Sequence, residues 1–271
     1  MKFAIVDGCK TEALKGDKGI CPNCGSELIA KCGEFKMNHW AHKGVRNCDS
    51  WWEPETEWHR SWKNNFPDEW QEYILLDELT NEKHIADILT IDKLVIEFQH
   101  SQIDPQERIS RENFYKNMVW VVHGTRLKRD FPRFLKAKNI FQETDLPKIF
   151  LVDFEECFPS AWLGISKPVI FDFCGIEEIN NPNDIRNNLY CLFPVKIGRY
   201  VVVAEITRTA FLISVTNGDW LPRANDFMNK LIQREQVHRE QERLYSIVQQ
   251  QQFLNRFFRN KQSHRGRGHI T

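Results

Sequence analysis

Asp87, Glu97 and Gln99 are the side chains in this sequence best placed to do chemistry together. They lie in HIADILTIDKLVIEFQHS, where two β-branched runs flank Ile91-Asp92-Lys93 and read as a hairpin. Strand side chains alternate faces, so Glu97 and Gln99 point the same way. A three-residue loop joining Thr90 to Leu94 sets Asp87 directly across from Glu97. Facing like charges destabilise a sheet, so something positive must compensate them. A hard divalent cation such as Mg²⁺ is the simplest candidate, because it takes carboxylate oxygens together with substrate phosphates. Bound there, it lowers the pKa of a water and stabilises charge on a phosphodiester in flight. A solvated edge hairpin with ordinary surface acids has the same spacing. Leu89 and Val95 share the polar face, however, which points to partial burial.

A second constellation opens the chain. Cys21-Pro22-Asn23-Cys24-Gly25 has the form of a knuckle, in which two thiolates two residues apart grip one tetrahedral Zn²⁺ and the glycine lets the backbone turn. His39 and His42 supply the expected second pair, with Cys32 and Cys48 as competing thiols. A redox dithiol is the rival reading, but the βαβ context it needs is absent. Six tryptophans between Trp40 and Trp70 are expected to pack this module onto the core, with Trp51-Trp52 open to exposure.

The elements that position these residues follow from periodicity. A helix is expected from Glu55 to Phe66, a strand from Glu72 to Leu76, and then the hairpin. The next helix starts at Asp104 as N-cap with Pro105 at its first position. VWVVHG, KIFLVD and PVIFDF read as further strands, giving an α/β fold with a mixed central sheet flanked by helices. Three regions are expected: a zinc-binding module at 1–50, a core at 51–175, and a helical C-terminal region with a basic tail at 176–271. YVVVAEITRTAFLISV fits a strand running into a helix, although periodicity alone does not separate the two. A long polar helix is expected from Ala224 to about Arg259. It offers a surface for a homo-oligomer, but its apolar spacing is too irregular for a regular coiled coil.

The 271 residues have zero formal net charge, which hides an asymmetry. From Pro222 onward there are ten Lys and Arg against four Asp and Glu. Arg256, Arg259, Lys261, Arg265 and Arg267 lie in a terminal stretch without acids, suited to a polyanion such as DNA. No apolar run approaches the roughly 18 residues of a membrane span, and the N-terminus lacks the long apolar core of a signal peptide. The cysteine spacing suits a metal site in a reducing cytoplasm better than a disulfide framework.

Taken in order, CPNC with HWAH, ETEWHRSWK, HIAD, EFQHS and RENFYKNMVWVV resemble the competence protein CoiA family over residues 1 to about 125. Its core is of the PD-(D/E)xK nuclease type. The resemblance implies a metal-dependent nuclease using Mg²⁺ or Mn²⁺ and linked to DNA uptake and recombination. Carried over by position, Asp87 and Glu97 are metal ligands, and Gln99 stands where the commoner catalytic lysine sits. Ala86 replaces the motif's proline. A neutral amide supplies no positive charge, although it can orient a water.

Glu55, His59 and Lys63 fall on one helical stripe that suits a helix edge facing the same site. Their expected roles are an added ligand, a base or water positioner, and a phosphate contact or substitute for the missing lysine charge. Such a stripe is also common on ordinary surface helices. Arg111 and Tyr115, one turn apart on the next helix, either steer the DNA backbone or brace that helix, and bracing is favoured. Two functions remain: a DNA nuclease, or a non-catalytic DNA-binding recombination mediator on a degenerate nuclease fold.

Overall fold

A computed structural model describes residues 1–33, 37–44, 48–77 and 80–265, with side chains through residue 256. The opening segment forms β1 (Phe3–Val6), β2 (Cys9–Glu12), β3 (Lys18–Ile20), β4 (Glu27–Lys31) and β5 (His39–His42). These make an antiparallel sheet in the order β2-β1-β3-β4-β5. Its core is small, built on Ala4, Ala13, Cys21, Leu28 and Trp40. So little apolar surface makes a weak fold by itself.

Helix α1 spans Glu57–Lys63, shorter than the periodicity suggests, with Thr56 as N-cap. A capping box sets that start. The Thr56 side chain accepts from the His59 N–H, and His59 Nδ1 accepts from the Thr56 N–H at 3.2 Å. Glu55 therefore precedes the helix instead of opening its stripe. The chain continues through β6 (Gln71–Leu76), β7 (Lys83–Leu89), β8 (Val95–Gln99), α2 (Pro105–Phe114) and β9 (Met118–His123). Asp104 caps α2 by accepting from the Gln106 and Glu107 N–H groups, with Pro105 at the first position as expected.

After α3 (Asp130–Lys138) come β10 (Gln142–Glu143), β11 (Ile149–Val152), α4 (Phe154–Cys157) and β12 (Val169–Asp172). Then β13 (Asn188–Ile197) and β14 (Tyr200–Thr207) lead into α5 (Arg208–Thr216) and α6 (Trp220–Arg265). Strands β6 to β14 form one mixed sheet in the order β10-β11-β14-β13-β12-β9-β8-β7-β6. Neighbours β8, β9 and β12 run parallel, and the other pairs are antiparallel. The mixed α/β sheet expected from the sequence is thus present.

Two assignments change. Residues 188–197, placed in a region expected to be helical, are a strand of the central sheet, and it pairs with Tyr200–Thr207, which leads into α5 as the strand-into-helix reading of that stretch has it. The last helix also runs on to Arg265. Residues 226–271 separate from 1–225 as a unit. On that helix Val237, Leu244, Tyr245, Val248 and Phe253 are exposed. Among the described residues, no helix is long and apolar enough to cross a membrane.

One buried acid fastens α1 to the sheet. Asp172, at the end of β12, is fully buried, and its Oδ2 accepts from Trp58 Nε1 (2.8 Å), Trp62 Nε1 (2.9 Å) and Arg208 Nη2 (2.7 Å). Its Oδ1 accepts from the Cys174 and Gly175 N–H groups. A buried carboxylate so fully partnered locks its neighbours in place.

Candidate active site and metal centre

The hairpin adopts the expected register: Ile88 pairs with Ile96, and Leu89 with Val95. The ladder stops where Asp87 and Glu97 face each other. There the side chains replace backbone partners across the gap. The Asp87 N–H donates to Glu97 Oε1 (3.2 Å), and the Phe98 N–H donates to Asp87 Oδ2 (2.9 Å). Each acid is thus held by the backbone of the other's strand.

The positive charge demanded by this pair comes from the protein. Lys63, 4% exposed at the end of α1, lies 2.9 Å from Asp87 Oδ1, 3.4 Å from Glu72 Oε1 and 3.5 Å from Glu55 Oε1. Burial pulls the ammonium down, but Asp87, Glu72 and Glu55 outweigh it and keep it charged. Arg111 Nη1 donates to Glu97 Oε2 at 3.1 Å and Nη2 donates to the Trp51 carbonyl and Glu107. Both cations are buried and paired. As they stand, Lys63 and Arg111 serve the acids instead of reaching DNA, so Arg111 braces α2.

Electrostatics separate the carboxylates. Burial pushes Glu97 up to about 8, and neighbouring Asp87 adds to the rise against Arg111. Burial also acts on Glu55, but Lys63 and Arg60 overcome it and hold that carboxyl at about 2. Glu53 likewise lies at about 2 despite burial, held by His59 and Ser101. A cavity of about 70 Å³, room for a few waters, is lined by these acids with Lys63 and Arg111. Two carboxylates with water suffice for Mg²⁺ or Mn²⁺, so Asp87 and Glu97 fit such a cation by donor type. Among the described residues, though, the acids here do not bring three ligand atoms together.

His59 and Gln99 are each engaged by neighbouring groups. His59 Nδ1 accepts from the Thr56 N–H, so Nε2 carries the proton and faces Glu53 Oε1 and the Phe98 carbonyl, both at 2.9 Å. No lone pair remains for a general base. Gln99 Nε2 donates to Glu53 Oε2 (3.3 Å) and to Ser101, leaving Oε1 buried without a partner. The lysine that does meet these acids comes from another element: Lys63, at the end of α1, lies 2.9 Å from Asp87.

Glu72 was not singled out from the sequence. It carries a left-handed backbone (φ 46°) and also accepts from the Lys2 and Phe3 N–H groups, tying β1 to the edge of the site. An acid in a strand gives no local sign of so distant a partner. The left-handed conformation is uncommon for any residue but glycine and marks local strain.

At the other centre, Cys21, Cys24, His42 and Cys48 bring their ligand atoms within 4.8 Å of one another. Sγ of Cys21 and Cys48 are 3.6 Å apart, and Cys24 Sγ is 3.3 Å from His42 Nε2. A tetrahedral zinc with Zn–S bonds near 2.3 Å needs edges of about 3.7 Å, so the set fits. Cys48 replaces His39 in the expected quartet. Both histidines lie on β5, and residues three apart on a strand point to opposite faces. His39 Nδ1 instead donates to the Met37 carbonyl at 2.9 Å. Burial pushes the Cys48 thiol up to about 12, with Cys21 reinforcing it. All eight cysteines are free.

Of the basic-tail residues, Arg256 is exposed, Arg259, Lys261 and Arg265 continue the last helix, and Arg267 lies outside the described residues.

Comparison with known proteins agrees with this division. Residues 7–50 match the model of the competence protein CoiA N-terminal domain, and residues 74–153 match that of the CoiA nuclease-like domain. All four thiol and imidazole ligands fall in the first match, while Asp87, Glu97, Gln99 and Arg111 fall in the second. Helix α1 and its Lys63 lie between the two. The chain is similar to the competence protein CoiA of Bacillus subtilis (strain 168), at 27% identity over 148 residues. That match covers 51% of this chain and 40% of the relative, so the chain spans less than half of that protein's length. No solved structure matches.

Proposed function

We propose that the chain, which matches the CoiA N-terminal and nuclease-like domain models, is a metal-dependent DNA nuclease of the CoiA type acting in DNA uptake, recombination or foreign-DNA processing. The observation that carries the reading is the Asp87–Glu97 pair at the break in the β7–β8 ladder, with Lys63 on one acid and Arg111 on the other. Asp87 and Glu97 would hold Mg²⁺ or Mn²⁺, which supplies a polarised water and charge stabilisation at phosphorus. A bound cation would favour the ionised form of Glu97, and Arg111 is placed to hold that carboxylate. Lys63 keeps Asp87 oriented from α1 and provides the fixed positive charge that Gln99 lacks. The N-terminal Cys/His centre is structural, since all four positions are filled by protein and none is left for substrate.

The second reading, a non-catalytic DNA-binding mediator, is favoured by Gln99, whose amide is turned to Glu53 and Ser101. Incubating the purified protein with single-stranded, duplex and branched DNA plus Mn²⁺ separates the two. Cleavage lost in Asp87→Asn supports the nuclease. Binding without cleavage of any of the three supports the mediator. Exposed apolar residues along α6 support self-association through that helix.

A further inference from the structure

One exposed indole borders three adjoining cavities. Trp52 is 48% exposed and lines the acid cleft. It also lines a cavity of about 400 Å³ with His42 and Asp49, and another of about 570 Å³ with Met37 and Glu55. Its neighbour Trp51 is already in use, stacked on His84 with ring centroids 3.2 Å apart and planes 11° from parallel. Among the described residues no aromatic ring stacks on Trp52. His39 borders both larger cavities beside it, and the Met37 carbonyl fixes the Nδ1 proton, so Nε2 of the neutral ring is an acceptor.

We propose that Trp52 is a stacking platform for an unpaired nucleobase, which makes single-stranded DNA, or a frayed strand end, the substrate class of the acid cleft. The inference rests on the nuclease reading of that cleft. Size and charge carry it. The cleft of about 70 Å³ admits ions and waters but no base, whereas the flanking cavities have the volume of small-ligand pockets. Asp49 lines both the acid cleft and the cavity with His42, and Glu55 lines both the cleft and the cavity with Met37, so a strand whose base rests on Trp52 in either cavity borders the cleft that holds Asp87. Stacking on an indole needs no particular sequence, since every base has a π-face, while a base within a duplex must first leave its stack. His39 Nε2 adds an acceptor for an exocyclic amine. Duplex DNA also brings twice as many phosphates per unit length to a cleft walled by Glu53, Glu55 and Glu72, a further bias toward one strand.

The test uses the full chain, with Ca²⁺ to hold DNA without cutting, and labelled 20-mers read by fluorescence anisotropy. Wild type should prefer a single strand over a blunt duplex of the same length. Trp52→Ala should weaken single-strand binding by roughly tenfold, Trp52→Phe should restore most of it, and duplex binding should not move. An unchanged single-strand affinity in Trp52→Ala overturns the proposal, as does an equal loss on both DNA forms with folding intact by thermal melt and zinc content. Cleavage with Mn²⁺ is scored separately. If wild type binds as expected but cuts nothing, the nuclease reading fails while the platform stands. If Trp52→Ala binds and cuts single strands as wild type does, the platform fails and the nuclease stands.

Discussion

At the acid cleft, negative charge is answered from within the chain; at the Cys/His centre it is not. Lys63 and Arg111 sit on Asp87 and Glu97, and further bonds from Arg60 and backbone N–H groups hold Glu55 and Glu72. The thiols of Cys21 and Cys48 face each other, and both are pushed up by burial. The first cluster has its charge balanced by side chains and backbone N–H groups of the chain itself. In the second, burial holds the Cys21 and Cys48 thiols up, while at Cys24 burial is outweighed by hydrogen bonds from Ser26 and His42, which draw it down to about 6. A bound zinc would displace the remaining protons and tie folding of the module to the metal.

The largest effects should come from removing what each cluster depends on. Cys48→Ser should lose about one zinc per chain by elemental analysis and leave residues 1–50 open to limited proteolysis. His39→Ala should retain the metal, and zinc loss in that variant would overturn the ligand assignment. Lys63→Met removes the buried cation that pairs with Asp87, Glu72 and Glu55 and should cost about 3 kcal/mol in urea unfolding. If Mn²⁺ recovers part of that loss, and recovers more than it adds to wild type, the cleft accepts an external cation where its internal one is missing.

A smaller effect lies in pH. Glu97 has its folded value raised to about 8 from an ordinary 4.5. The folded state therefore binds the extra proton between those limits, and stability from this group is complete below about 4.5 and lost as pH rises through 8. In metal-free protein, the stability of wild type relative to Glu97→Gln should fall as pH rises from 5 to 8, seen by thermal melts. Glu53 and Glu55, both held near 2, act oppositely: their contribution stands above the ordinary value of 4.5 and is lost as pH falls toward 2. A difference between wild type and Glu97→Gln that stays flat from pH 5 to 8 removes the argument that Glu97 yields its proton to a metal. The smallest effect concerns cations with no acid nearby. Deleting residues 256–271 should flatten the log–log salt dependence of duplex binding by roughly 4 to 5 units if all five basic residues engage, and by about half that if the tail engages partly. An unchanged slope makes the tail a solubilising segment.

The hairpin was legible because a three-residue loop and strand alternation leave one register that faces Asp87 with Glu97, and β7 and β8 adopt it. The cap at Asp104-Pro105 was equally local. His39 was misplaced because HWAH is too short to show its own periodicity: the same spacing that could serve a knuckle in a turn divides the two rings on a strand. Cys48 could be named as a competitor from its residue type alone, but its place in the centre required the fold. Glu72 and Asp172 left no local trace, since each works through partners on other elements: Lys2, Phe3 and Lys63 for the former, Trp58, Trp62 and Arg208 for the latter. The strand at Asn188–Ile197 was missed for the opposite reason, because burial on both faces erases the alternation that marks a strand, whereas Tyr200–Thr207 leading into α5 follows the strand-into-helix reading of that stretch.

The Asp172 junction also sets a timetable. Trp58 and Trp62 emerge early from a ribosome, but their shared acceptor is over a hundred residues later, and Arg208 completes it only from α5. At about 5–20 residues per second, roughly seven to thirty seconds of synthesis separate the appearance of Lys63 from the closure that fastens its helix. During that interval the nascent chain already carries Asp87, Glu97 and the whole hairpin. It lacks the seat that sets the lysine against them, so the cleft matures only after Arg208 and α5 have been made.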